Sequence, residues 1–304
     1  MLIPHTSAPL WPPNIAPGRF AFGLQRDDPA GCRVALLGMP DELGVTLNQG
    51  RPGASQGPNA IRTALAKYGV EHPHGWNWPA VFDAGDIQPA PGEDAAALHQ
   101  THAQVTAAVR AILELDMFPI GLGGGHDLTF PFARAVILHH RQRGIRVDDC
   151  VYFDAHLDVR PTPGSGMPFR ALVEECDLAT LHAFGVQPMV NSREHHLWFE
   201  EHGGLIPDPL ANPATWNPQR PYVASFDMDV LDAGQVCGVS ALNPSGWPVH
   251  HAEAWVDRLA RDPLCLCFDL MELSPPNDPS GRSARVAAHL LLTFLRGFAA
   301  RGTP

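Results

Sequence analysis

The groups able to do chemistry in this chain sit where apolar runs end. Cys150-Val151-Tyr152-Phe153 is followed at once by Asp154-Ala155-His156-Leu157-Asp158, three metal-competent side chains at alternate positions. In extended backbone, residues i, i+2 and i+4 point to one face. Continuation of the strand therefore predicts that Asp154, His156 and Asp158 converge. Two carboxylates and an imidazole held together are costly unless a cation neutralises them. Taken alone, the stretch reads equally well as a polar strand-to-loop boundary.

Two more run ends carry similar groups. Residues 117–122 form an apolar run that leads through Gly123-Gly124-Gly125 to His126, and the glycines allow close backbone approach. Tyr222-Val223-Ala224 leads into Ser225-Phe226-Asp227-Met228-Asp229. Singly, His126 reads as a hydrogen-bonded turn histidine, and Asp227 and Asp229 as a helix cap and a loop charge. Jointly they offer four aspartates and two histidines. Hard carboxylates with one or two imidazoles suit Mn²⁺, or Fe, Co or Ni, better than structural zinc. Six ligands are too many for one catalytic ion with open positions. They suit two ions sharing a bridging carboxylate and water. A fourth run, 264–271, ends at Glu272, a carboxylate able to bind a planar cation in bidentate fashion. Its bland reading is a loop glutamate.

Short apolar runs alternate with helical patterns through the chain. Strands are expected at 33–38, 80–86, 117–122, 150–153, 179–185, 222–227 and 264–271. Helices are expected from Gly57, over 93–115, from Phe130 to about His140, over 192–203 and 249–261, and from about Ser283 to Ala300. That alternation predicts a parallel sheet covered on both faces, with ligands beyond the carboxyl ends of its strands. Residues 1–30, rich in proline, read as an irregular arm, and 31–304 as a single catalytic domain.

The totals narrow the function class. A chain of 304 residues that is 45% apolar can bury a large core, and its formal net charge of -11 argues against nucleic acid or anionic membranes as partners. A small-molecule substrate is expected instead. The six cysteines include no CxxC pair, and Cys265 and Cys267 would alternate faces in a strand. Reduced thiols and a cytoplasmic protein follow. The N-terminus has neither a basic region nor a long apolar core, so it reads as neither signal peptide nor anchor, and no run approaches a membrane span.

Gly-Gly-Gly-His-Asp at 123–127, Asp-Ala-His-Leu-Asp at 154–158 and Ser-Phe-Asp-Met-Asp at 225–229 resemble the three metal motifs of the arginase/agmatinase (ureohydrolase) family. The resemblance runs from about residue 33 onward. It implies an α/β fold: a three-layer α/β/α sandwich around a mostly parallel sheet of about eight strands. It implies two Mn²⁺ per subunit. His126, Asp154, Asp158 and Asp227 would hold one ion. Asp154, His156, Asp227 and Asp229 would hold the other, with Asp154 and Asp227 bridging. Glu272 matches the acidic residue that pairs with a substrate amidinium or guanidinium. The family commonly forms trimers or hexamers, so a homo-oligomer is an open expectation.

Arginases and agmatinases carry a proton-shuttling histidine after the second motif. Here the matching segment, Pro163-Gly164-Ser165-Gly166-Met167-Pro168-Phe169-Arg170, has none. It resembles the formimidoylglutamase branch of the family, which belongs to histidine degradation. Asn48-Gln49-Gly50-Arg51-Pro52-Gly53-Ala54 and the stretch 277–285 resemble that branch too, whereas Asp127 stands where glutamate is expected. The implied reaction is hydrolysis of a C–N bond in a linear amidine, N-formimidoyl-L-glutamate giving L-glutamate and formamide, with Asp158 or a water passing a proton to the leaving amine. The substrate's two carboxylates call for arginines, and Arg51, Arg160 and Arg170 lie in loops beside strand ends; each also reads as a solvated charge. The alternatives are a ureohydrolase of a guanidino compound, and a non-catalytic metal-binding relative.

Overall fold

The computed structural model describes residues 2–69, 78–209 and 211–301. Nine strands form one sheet: β1 (Thr6–Ser7), β2 (Val34–Met39), β3 (Val81–Ile87), β4 (Phe118–Gly123), β5 (Asp149–Phe153), β6 (Thr180–Phe184), β7 (Gly204–Leu205), β8 (Tyr222–Asp227) and β9 (Cys265–Met271). Their order is β1-β3-β2-β4-β9-β8-β5-β6-β7. Every pairing is parallel except β1 with β3.

Successive residues of each strand face opposite layers, and both layers are apolar, which is why the strands read as unbroken hydrophobic runs. In β5, Val151 and Phe153 pack on one side while Cys150 and Tyr152 pack on the other. The first side is closed by helices α2 (Gly57–Leu65), α7 (Val249–Arg261) and α8 (Arg282–Ala299), through residues such as Ile61, Trp255 and Phe294. The second is closed by α3 (Ala95–Glu114), α4 (Thr129–Gln142), α5 (Pro168–Cys176) and α6 (Arg193–Glu201), through Val109, Phe132, Leu172 and Phe199. A short helix, α1 (Leu43–Leu47), sits in the loop after β2. The helix starts obey local rules. Pro58 occupies the first turn of α2, where its missing N–H costs nothing. Asp94 caps α3 by accepting from the Ala97 N–H at 3.0 Å.

Two expectations need correction. The N-terminal arm is not simply irregular: Thr6–Ser7 pairs with β3, and Ile3, Phe20, Ala21 and Leu24 are buried. The arm thus covers what would otherwise be an open sheet edge. The nine strands of the described residues agree with the expected mostly parallel sheet of about eight, the two-residue edge strands being too short to leave a periodic trace. Helices α1 and α5 lie in glycine- and proline-rich stretches where turn signals hid them. The six cysteines are unpaired, and no described helix is long and apolar enough to cross a membrane.

Candidate active site

Strands β4, β9, β8 and β5 are consecutive neighbours in the middle of the sheet. Their carboxyl ends deliver His126, Glu272, Asp227 with Asp229, and Asp154 to Asp158. Crowding at these ends demands glycine: a side chain at Gly124 would strike the Asp41 backbone, and one at Gly123 would strike Met271. Glu272 adopts φ +63°, a left-handed conformation seldom taken by glutamate. Its N–H donates to Gly124 O at 2.9 Å, and its Oε1 accepts from the His126 N–H at 2.9 Å. Two elements 146 residues apart are thereby locked together.

The three groups after β5 do converge, but not by strand alternation. β5 stops at Phe153, the chain bends, and Asp158 takes φ +48°. Asp154 Oδ1 accepts from the His156 N–H at 2.6 Å, an aspartate turn. Asn191, which sequence reasoning passed over, pins the loop from outside: its Oδ1 accepts from Leu157 N–H at 2.8 Å and its Nδ2 donates to Ala155 O at 2.9 Å. The result is two adjoining groups rather than one face. His126 Nδ1 lies 3.1 Å from Asp154 Oδ2, 3.0 Å from Asp158 Oδ2 and 3.1 Å from Asp227 Oδ2. His156 Nδ1 lies 3.2 Å from Asp154 Oδ1 and 3.0 Å from Asp229 Oδ2. Asp154 belongs to both groups.

Behind His126 stands a relay of residues not foreseen as functional. Ser225 Oγ donates to Asp269 Oδ1 at 2.6 Å, and Thr129 Oγ1 donates to Asp269 Oδ2 at 3.0 Å. With its proton so committed, Ser225 Oγ accepts from His126 Nε2–H at 3.0 Å. In the neutral ring this leaves the Nδ1 lone pair aimed at the three carboxylates, which is the tautomer a cation needs.

The electrostatics point the same way. Burial, then Asp158 and Asp229, push the Asp154 carboxyl up to about 6. Burial, then Asp229 and Asp154, hold Asp227 well above its ordinary value. Burial opposes charge on His126, yet the carboxylates of Asp154, Asp158 and Asp227 raise it well above the usual imidazole range. Among the described residues, His126 Nδ1 and Asp154 Oδ2 are buried without a well-formed hydrogen bond. Even with both imidazoles protonated, four carboxylates leave two negative charges unmatched. A donor set of four aspartates and two histidines fits a pair of hard dications. Beside the cluster, burial pushes Glu272 up to about 8 against the pull of the His126 N–H, and among the described residues its Oε2 has no hydrogen-bond partner.

A cavity of about 410 Å³ opens onto the cluster, with Arg51, Asp158, Arg160, His195, Asp229 and Glu272 among its walls. Arg51 is anchored by the backbone carbonyls of Ser240 and Val239, each at 2.8 Å. Arg170 does not reach this cavity, contrary to its expected role in substrate binding. It sits in the first turn of α5, where Nε donates to Glu174 Oε1 at 2.8 Å and the guanidinium lies 4.9 Å from the Trp198 ring. The helical spacing of Arg170 and Glu174, hidden while α5 was unrecognised, draws the side chain outward.

The Arginase family model matches residues 32–296. A formimidoylglutamase from Citrobacter koseri is 33% identical over 275 residues, covering 85% of this chain and 83% of its own length. One from Hahella chejuensis is 32% identical over 292 residues, covering 88% and 85%. A crystal structure of Trypanosoma cruzi formiminoglutamase with Mn²⁺ superimposes with a TM-score of 0.79 at 27% identity, covering 90% of this chain and 96% of that one. With the motifs, the strand order and these likenesses in agreement, this chain belongs to the arginase family.

Proposed function

We propose that the protein hydrolyses N-formimidoyl-L-glutamate to L-glutamate and formamide, using two Mn²⁺ per chain. One observation carries the reading: six buried or half-buried side chains converge with, among the described residues, no arginine or lysine to balance their four carboxylates, beside a buried glutamate oxygen that lacks a partner there. His126, Asp154, Asp158 and Asp227 would hold one ion, and Asp154, His156, Asp227 and Asp229 the other. When bound, such ions lower the pKa of water and polarise the group under attack.

The remaining work falls to the chain. Glu272 Oε1 is committed to the His126 N–H, so Oε2 is the oxygen left to accept from an amidinium N–H. Its raised pKa keeps it protonated in an empty cavity, and an incoming amidinium restores its charge. Arg51 spends two of its N–H donors on backbone carbonyls, leaving three for a substrate carboxylate. Arg160, on the same cavity wall, offers the second cation. Two arginines suit a dicarboxylate such as glutamate and have no task with agmatine. The names of the Citrobacter and Hahella relatives support the same substrate. The unpaired cysteines fit a reducing, cytoplasmic setting.

The test is metal analysis with product identification on purified protein. Two manganese ions per chain and formamide from N-formimidoyl-L-glutamate are expected. Urea from arginine, agmatine or a guanidino acid would replace the substrate reading. Bound metal with neither product would make the chain a non-catalytic relative.

A further inference from the structure

We propose that His195 carries the proton between the attacking water and the leaving nitrogen, the task for which the 163–170 segment offers no histidine. The inference rests on the hydrolase reading above. His195 lies in the first turn of α6, a helix that contributes no member of the acidic cluster, yet it lines the cavity shared by Asp158, Asp229 and Glu272. Only its backbone is engaged, the N–H donating to Ser192 Oγ at 3.1 Å. Among the described residues its imidazole has no hydrogen-bond or ion-pair partner, so both ring nitrogens remain available.

The other groups on that wall are already committed. His156, Asp158, Asp227 and Asp229 belong to the acidic cluster, and Glu272 faces it. Arg51 and Arg160 carry guanidinium groups, which offer donors and no acceptor for a proton. A histidine exchanges its proton near neutrality. Burial, then Arg160, lower the His195 pKa, with Arg170 adding to them and Glu194 and Asp158 pulling the other way. The resting ring is therefore neutral and ready to accept.

The atoms balance with an amidinium substrate. Water oxygen bonds to the formimino carbon as one water proton passes to His195. The glutamate nitrogen of the tetrahedral adduct takes that proton and leaves with the bonding electron pair. The remaining hydroxyl proton is lost to the freed amine as the formamide carbonyl forms. His195 returns neutral, and no oxidant or reductant is involved.

The experiment compares His195→Gln with the parent as manganese-loaded enzymes. A kcat lowered by about 10²- to 10⁴-fold is expected. KM, manganese content and the Kd for L-glutamate should stay within about two-fold, and added imidazole should restore part of kcat. His196→Gln, a neighbour off the cavity wall, should match the parent. Unchanged kcat in His195→Gln overturns the proposal. So does a raised KM and glutamate Kd at unchanged kcat, which would make His195 a carboxylate holder. So does joint loss of kcat and manganese without imidazole rescue, which would make it structural. A parent that releases urea instead of formamide overturns the substrate reading only. Rescue of His195→Gln on that guanidino compound would still support the proton role.

Discussion

Two clusters of buried carboxylates occupy neighbouring parts of one sheet. In β3, Asp83 and Asp86 meet Arg62 of α2. Arg62 Nε and Nη2 each lie 2.9 Å from an Asp83 oxygen, Nη1 lies 2.5 Å from Asp86 Oδ1, and Trp11 Nε1 donates to Asp83 Oδ2 at 2.8 Å. At the ends of β4, β9, β8 and β5, four aspartates meet two histidines, and among the described residues no arginine or lysine pairs with any of them. A buried carboxylate is thus not itself the signature of a metal site. The signature is a crowd of buried carboxylates that no arginine or lysine bonds. Arg62 bonds both of its aspartates and holds α2 against the sheet; the other cluster has no arginine or lysine of its own and is open to an ion from outside.

The sharpest way to break this contrast is Asp229→Ala. It should lower manganese below two per chain and cut kcat/KM by more than about 10⁴-fold, upwards of 5 kcal/mol, with the circular dichroism of the folded chain retained. Full activity with one ion or none would refute the two-ion scheme. The complementary change is Arg62→Met, which strands two buried carboxylates without their cation. It should cost about 3 to 5 kcal/mol in urea unfolding while the folded fraction keeps its manganese and kcat/KM. A cost below about 1 kcal/mol would mean the cluster does not hold the fold.

A smaller effect concerns pH. Glu272 is raised from its ordinary value to about 8 and Asp154 to about 6, so these two groups bind more protons in the folded chain than in the unfolded one between about pH 4.5 and 8. Their contribution to the stability of metal-free protein should accordingly fall as pH rises through that window. Glu272→Gln should flatten the slope by up to about one proton, 1.4 kcal/mol per pH unit. Thermal melts at a series of pH values measure this, and identical slopes for the two proteins would remove Glu272 from the account.

Much of the site was legible because the run ends carry unusual residue types at short spacings. Asp154, His156 and Asp158, and likewise Asp227 and Asp229, lie close in sequence, so local chain geometry must keep them close in space. The manner of their convergence was not legible: the expected strand continuation is replaced by a bend that Asn191 supports from 36 residues away. Ser225 and Asp269 were visible only as members of quoted stretches, since their roles depend on β8 pairing with β9. Arg170 misled because α5 was unseen, and a helix turns its third residue away from where a loop would have placed it.

The sequence by itself determined the alternation of strands and helices, the two-sided burial of the sheet and the chemical types of the side chains gathered at its strand ends. These follow from side-chain periodicity and from the cost of gathering like charges, both local properties. Tertiary structure decided which carboxylates meet an arginine and which do not. It also brought Glu272 beside His126 by inserting β9 between β4 and β8, and it turned His195 into the cavity. Those outcomes depend on strand order and helix docking, which bring together residues whose separation along the chain gives no sign of their meeting.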